Sequence, residues 1–236
     1  MTHVRANIVQ HARLVLARAV TIAVRYTVVR RQFQDRDGNK TGPEMSVLDY
    51  PTVQIRILPL LATAFALHYT GQAMKKVYQD TRHDIEQGNF HTLAQMHSMS
   101  SGLKSLCTTL AADGIETCRR ALGGHGFGGG SGLIQLNNDY LSKPTVEGDN
   151  WMITQQTARY LIKSMTSAVE SLDSHSSDMT VTHFKEYIRA RQKTHHEHPE
   201  YDVLNSDSDI VKSFQLRAAA MVSYNKVKVA FYCAIC

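Results

Sequence analysis

From residue 4 to residue 33 apolar side chains recur every three or four positions, at Val4, Ile8, Ala12, Val15, Ala19, Ile22, Tyr26, Val29 and Phe33. That period lines them up along one stripe of a long helix, and helices with such stripes bury them by packing against other helices. The pattern gives way to a polar, turn-rich loop, Asp35-Arg36-Asp37-Gly38-Asn39-Lys40-Thr41-Gly42-Pro43, which has nothing apolar to bury. Asp49 as a cap and Pro51 in the first turn announce a second helix, with Val53, Ile57, Leu60, Leu61, Ala64 and Leu67 as its apolar positions. Pro59 removes a backbone donor inside it, so a kink is expected there. A third helix follows the turn at Gln87-Gly88-Asn89, carries Met96, Met99, Leu103, Leu106 and Leu110, and stops at Gly123-Gly124. A fourth pattern, Ile153, Thr157, Leu161, Ala168 and Leu172, begins just after Glu147, with Asp149 or Asn150 available to cap it. Beyond residue 171 come a short helix over 181–192, a polar linker over 194–209 and a last helical run over 210–232. No strand-like alternation and no internal repeat is present. The expected fold is all-α: an antiparallel four-helix bundle over residues 1–172, then a partial helical extension over 173–236.

Composition narrows the function classes. With 43% hydrophobic and 20% charged residues, the 236-residue chain has the makings of a packed core, so disorder is not expected. The formal charge of +5 comes from scattered Lys and Arg with no aromatic-lined basic patch, which argues against a nucleic-acid partner. Four cysteines, Cys107, Cys118, Cys233 and Cys236, are too few and too uneven for a disulfide framework and point to a reducing compartment. The CxxC spacing at Cys233 and Cys236 reads as an apolar tail. No secretory segment is expected over residues 1–18, where His3, Arg5, His11, Arg13 and Arg18 interrupt the apolar positions. The longest uncharged run, 57–74, reads as a buried core helix and not a membrane span, given Pro59, His68 and Gln72 within it. The sequon Asn39-Lys40-Thr41 is read as chance. His195-His196-Glu197-His198 lacks the i, i+4 spacing of helical zinc sites and reads as a solvated loop, so no metal is expected. Neither a nucleophile elbow nor a P-loop is present.

The chemistry-bearing stretch is Arg119-Arg120-Ala121-Leu122-Gly123-Gly124-His125-Gly126-Phe127, followed twenty-one residues after Gly126 by Glu147-Gly148-Asp149-Asn150. A glycine-dense turn lets a phosphate or a ring system approach bare backbone, and an acidic residue at the start of a helix can serve as a base. The glycines would equally end the third helix, and Glu147 would equally favour the positive end of the fourth. Arg30 and its neighbours also suit a helix C-terminus as a plain solvated pair.

With these stretches in view, the chain over residues 1–164 resembles the acyl-CoA oxidases of the wider acyl-CoA dehydrogenase group. The resemblance is carried by four blocks in the family's order: residues 17–32, residues 58–64, Gly123-Gly124-His125-Gly126, and Glu147-Gly148-Asp149-Asn150 ahead of Gln156-Thr157-Ala158-Arg159. It implies FAD-dependent conversion of an acyl-CoA to a trans-2-enoyl-CoA, with electrons passing to O2 to give H2O2, in fatty-acid β-oxidation or a related acyl-CoA pathway. By resemblance Glu147 is the base. Gly123, Gly124 and Gly126, with Arg30, Gln32 and Phe33, would line the flavin of a neighbouring subunit in a homodimer or of a fuller partner subunit. A mildly basic chain suits the phosphates of a CoA ester. The family's N-terminal helical region and β-domain are absent from this sequence, so the polypeptide alone is expected to show little or no oxidase turnover. Val146 replaces the family's usual aromatic before the glutamate. The family implies a peroxisomal location, although the chain closes on Ala234-Ile235-Cys236 and not Ser-Lys-Leu, which otherwise leaves the cytoplasm. Alternative readings are a non-catalytic helical dimerisation module and a dehydrogenase that uses an electron-transfer partner.

Overall fold

The computed structural model describes residues 1–34, 42–193 and 201–235. The loop 35–41, the histidine cluster 195–198 and Cys236 lie outside them. Among the described residues the architecture is helical, and the only strand-like pairing is an isolated bridge between Arg31 and Ser46. The chain divides into two compact units, Met1–Thr154 and Gln155–Cys236.

The first unit is built on three long helices, α1 (Thr2–Val29), α2 (Pro51–Glu86) and α3 (Leu93–Ala121). Gly71 of α2 faces Gln10 of α1, and Gly114 of α3 faces both Leu16 of α1 and Leu60 of α2. As α1 advances from residue 10 to 16, α2 therefore runs back from 71 to 60, and the two are antiparallel. Arg5 meets Ser101 and Tyr26 meets His125, so α3 runs parallel to α1. The result is the up-down-up order of a bundle with short connections.

Because α1 is packed by both neighbours, it buries a wider face than one stripe: Val9, Ala12, Leu16, Ala19, Val20, Ala23 and Thr27 are all closed off. The expected stripe holds in the middle of the helix and drifts at its ends, leaving Val4 and Val29 exposed. The helix also stops four residues before Phe33, where Arg30 turns extended and its N–H still reaches Tyr26 O at 2.8 Å.

Pro51 opens α2 as expected, but the residue ahead of the helix is Tyr50, and Asp49 instead closes a 3-10 turn over Val47–Asp49. The helix continues through Pro59 as one element. Its uncharged run is buried on one side only, by Ile57, Ala64, Leu67, Gly71 and Met74. The opposite flank carries Ile55, Leu58, Leu61, Phe65 and Tyr69 into solvent, with Ile55 71% and Tyr69 65% exposed. The expectation of a wholly buried core helix is corrected to that extent.

After α3 the chain makes two short helices that the sequence pattern did not announce, α4 (Gly124–Phe127) and α5 (Leu133–Tyr140). Gly123 (φ 58°) and Gly132 (φ 70°) introduce them from the left-handed half of backbone space, where glycine is at ease. Leu133, Leu136 and Tyr140 pack α5 into the core. The fourth long helix, α6 (Asn150–Glu170), follows the loop that carries Glu147.

The second unit has its own core, in which Met165 and Ala168 of α6 meet Val181, Phe184 and Tyr187 of α7 (Met179–Lys193) and Ala219 of α8 (Asp207–Ile235). Asp178 starts α7, accepting from Thr180 N at 2.8 Å and from the Tyr160 hydroxyl at 2.7 Å.

Candidate functional site

The structure places the candidate residues in two groups at opposite ends of the first unit. Glu147 lies at the level of Arg5, and the glycine turn lies at the level of Tyr26. At 1.5 Å per helical residue, the 21 residues between them put the two groups about 30 Å apart along α1.

At the Glu147 end, the chain leaves α5 and turns through residues 141–146. It then places Glu147 (φ 60°) and Gly148 (φ 111°) consecutively in left-handed conformations. A non-glycine residue adopts this region only when its surroundings hold it there. The holding groups are visible. Arg5, 4% exposed, donates from Nε and Nη2 to Glu147 O at 3.2 and 2.9 Å, and from Nη1 to Ser101 Oγ at 3.1 Å. Lys104, fully buried in α3, donates from Nζ to Pro144 O (2.8 Å), Gly148 O (2.7 Å) and Asn150 Oδ1 (2.9 Å). Burial draws the Lys104 ammonium below the usual lysine range, Asp149 pulls it back up, Arg5 lowers it and Glu147 raises it. Asp149 Oδ1 accepts from Trp151 N at 3.0 Å and takes the capping role, while Asn150 Nδ2 reaches Thr108 Oγ1 at 3.0 Å. The half-buried Glu147 side chain keeps one carboxyl oxygen, Oε2, out of solvent with no hydrogen-bond partner among the described residues. An acceptor in that state has a lone pair open to a group brought to it.

Sequence reasoning missed Arg5 and Lys104, yet a signal was present. Position 104 falls on the buried period of α3 with Ser100, Ser101, Cys107, Thr108 and Ala111, and position 5 adjoins Ala6, Ile8 and Val9 on α1. A cation on an apolar stripe needs a cage of acceptors.

At the other end, a cavity of about 170 Å³ opens where α1 and α3 finish and α2 begins. Arg30, Gln32, Arg56, Arg120 and Gly123 line it, with Tyr26 at its wall. The extended segment after α1 is pinned there: Val47 N donates to Arg30 O, Gln32 N to Met45 O, and the Tyr50 hydroxyl to Gln32 O at 2.8 Å. Arg120 shares Glu116 with Arg119, each donating to the carboxylate at 2.7 Å; this pairing, led by Arg119, holds the Glu116 carboxyl down at about 2. The structure thus brings Arg30, Gln32 and Gly123 together. Phe33 (φ 62°) points away into solvent, 69% exposed, and does not line the cavity.

The three glycines differ in what they require. A Cβ at Gly123 or Gly124 would meet open space, whereas one at Gly126 would fall 1.9 Å from Arg119 O. Gly126 is thus glycine because α4 packs directly on the end of α3. Gly123 and Gly124 leave bare backbone accessible beside the arginines.

Among the described residues no group of three His, Cys, Asp or Glu is placed to hold a metal ion, and no helix is long and apolar enough to cross a membrane.

Comparison with known proteins gives this arrangement its context. Residues 1–162 match the domain described as "Acyl-CoA oxidase, C-alpha1 domain". Peroxisomal acyl-coenzyme A oxidase 1 of Arabidopsis thaliana is 46% identical over 165 residues, 70% of this chain and 24% of the relative. The Rattus norvegicus protein of the same name is 35% identical over 227 residues, 94% of this chain and 33% of the relative. Among solved structures, Arabidopsis thaliana acyl-CoA oxidase 1 superposes with a TM-score of 0.85 at 35% identity, covering 98% of this chain and 34% of that one. Acyl-CoA oxidase-2 of Caenorhabditis elegans, bound with FAD, ascaroside-CoA and ATP, gives 0.85 at 31% identity, covering 99% and 33%. The chain therefore spans about a quarter to a third of the length of the relatives it matches, and its all-helical fold is that of their C-terminal helical portion. A domain match across most of the sequence, and helices that superpose on those of solved oxidases, together establish that the chain belongs to the acyl-CoA oxidase family.

Proposed function

We propose that this chain supplies the helical part of an acyl-CoA oxidase acting in peroxisomal fatty-acid β-oxidation, with Glu147 as the base that removes the α-proton of an acyl-CoA. The observation that carries the reading is the Glu147 carboxyl: one oxygen buried and unpartnered, on a residue held in a left-handed turn by Arg5 and Lys104. A base must be oriented and must keep a lone pair free for the proton it takes.

The residues at the far end fit a dinucleotide. Arg30, Arg56 and Arg120 line one cavity, Arg120 with its Nε already on Glu116, and guanidinium pairs well with pyrophosphate oxygens. Gly123 and Gly124 leave space for close approach. Arg30, Gln32 and Gly123 would hold that group, and Gly124 would let it near the backbone. When bound, FAD supplies the hydride acceptor for the β-carbon and the route by which the electrons reach O2, yielding H2O2.

This chain's own share of the reaction is the proton. Arg5 holds the carbonyl of Glu147 and Lys104 the backbone on either side of it, so the carboxylate meets the α-carbon without rearranging, and the α-proton goes to a carboxylate oxygen as the α,β double bond forms. With some 30 Å between the two groups, one copy cannot place both on a single flavin, which supports a homodimer or a pairing with a fuller subunit.

The test is a chimera in which this chain replaces the matching portion of Arabidopsis acyl-CoA oxidase 1. It should release peroxide and enoyl-CoA from an acyl-CoA, and Glu147→Gln should lower kcat by about 10³-fold or more. A chimera that binds FAD and turns over equally well with Glu147→Gln would refute the base and leave a purely structural helical module.

A further inference from the structure

Lys104 has three N–H groups and meets three acceptors, Pro144 O, Gly148 O and Asn150 Oδ1. All three belong to the seven residues that bracket Glu147, and none belongs to Glu147 itself. The lysine is wholly buried, and an ammonium taken out of water is costly unless every donor is satisfied. An apolar side chain of similar length would fill the same space in α3 at no such cost, so packing does not account for a lysine here. What the ammonium does, and an apolar group cannot, is hold three oxygens of one loop at 2.7 to 2.9 Å from a single point.

That loop needs holding. Glu147 and Gly148 are both left-handed, and Asn150 must present its amide oxygen to Lys104 while its Nδ2 donates to Thr108 and Thr109 of the same helix. The cage is built of carbonyl and amide oxygens without a carboxylate. Lys104 therefore anchors the loop without spending a donor on the Glu147 carboxyl, and a carboxylate locked in a salt bridge would be a poorer base.

We propose that Lys104 is a positioning residue for the base: its ammonium fixes residues 144–150 in the turn that aims the Glu147 carboxylate. This rests on the reading of Glu147 as the base.

Amide hydrogen exchange of the 236-residue chain tests the anchoring without turnover. Lys104→Met should speed exchange at Asn150, whose N–H closes the loop onto Pro144 O at 3.0 Å, by at least about tenfold, with residues 113–121 of α3 unchanged. Lys104→Ala should behave alike and recover on adding n-propylammonium but not tetramethylammonium, which has charge and no N–H. Unchanged exchange at Asn150, a rise spread equally over α3, or recovery with either cation would overturn the proposal. In the chimera, Lys104→Met should lower kcat by about 10²-fold with KM held within about threefold, the pattern of a misplaced catalytic group. Full activity in Lys104→Met beside an inactive Glu147→Gln defeats the positioning role alone. A loosened loop in Lys104→Met beside a fully active Glu147→Gln defeats the base.

Discussion

Gly126→Ala separates the two uses of glycine in the turn after α3. The added methyl would stand 1.9 Å from Arg119 O, 2.9 Å from Arg119 C and 3.2 Å from Leu122 Cβ, against the 3.4 Å at which ordinary contact begins. The shortfall of 1.5 Å on the carbonyl oxygen must come from backbone, because that carbonyl is not free to retreat: it accepts from Leu122 N at 3.2 Å, and the Arg119 side chain is tied to Glu116 through both Nε and Nη2. The short helix α4 must lift instead, straining the Gly126 N to Gly123 O bond at 3.0 Å. Overpacking against backbone belongs at the upper end of its usual range, about 3 kcal/mol. For a unit of this size that corresponds to a fall in Tm of roughly 6–12 °C. Gly124→Ala is the control, since its methyl meets nothing within 4 Å, and it should shift stability by less than about 0.5 kcal/mol. Urea unfolding followed by far-UV circular dichroism reads both. A loss below about 1 kcal/mol in Gly126→Ala, or equal losses in the two variants, would refute the steric argument.

Glu116, held down at about 2 chiefly by Arg119 and then Arg120, contributes stability that is present above its unfolded value of 4.5 and is lost as pH falls through the folded one. Because the pair is partly solvated, Glu116→Gln should cost only about 1 kcal/mol at pH 7, and urea titrations should show that difference vanishing by about pH 2. Burial pushes the Cys107 thiol up to about 11 and the Cys118 thiol up to about 12. Both should react with a thiol reagent at pH 8 at least about 100-fold more slowly in the folded chain than in urea, as followed by peptide mass; equal rates would count against their burial in the core.

Long periodic segments were legible because burial on a helix repeats at 3.6 residues, and α1, α2, α3 and α6 answer to such patterns, while α7 and α8 answer to helical runs for which no period was assigned. Short helices were not: in α5 only Leu133, Leu136 and Tyr140 mark the buried side, and the glycines from 123 to 132 read as loop. Glu147 is singled out only by the family's Glu-Gly motif; spacing alone favours a capping carboxylate, a part that the structure gives to Asp149. Arg5 and Lys104 were missed because charge is ordinarily assigned to solvent, although their register on buried stripes marked them. The apolar period overruns the end of α1, because Phe33 keeps it after the backbone has already left the helix at Val29. What no single-chain pattern could reveal was distance: Gly126 and Glu147 are twenty-one residues apart in sequence, yet α5 carries the chain back down the bundle between them.

The uncovered flank of α2 also governs how the polypeptide behaves as a colloid. From Ile55 to Tyr69 a ridge of large apolar groups extends about 20 Å along one helix. A formal charge of +5 opposes aggregation at low ionic strength. Added sulfate screens that repulsion while strengthening hydrophobic association, so precipitation would set in at the ridge well before the fold itself is disturbed.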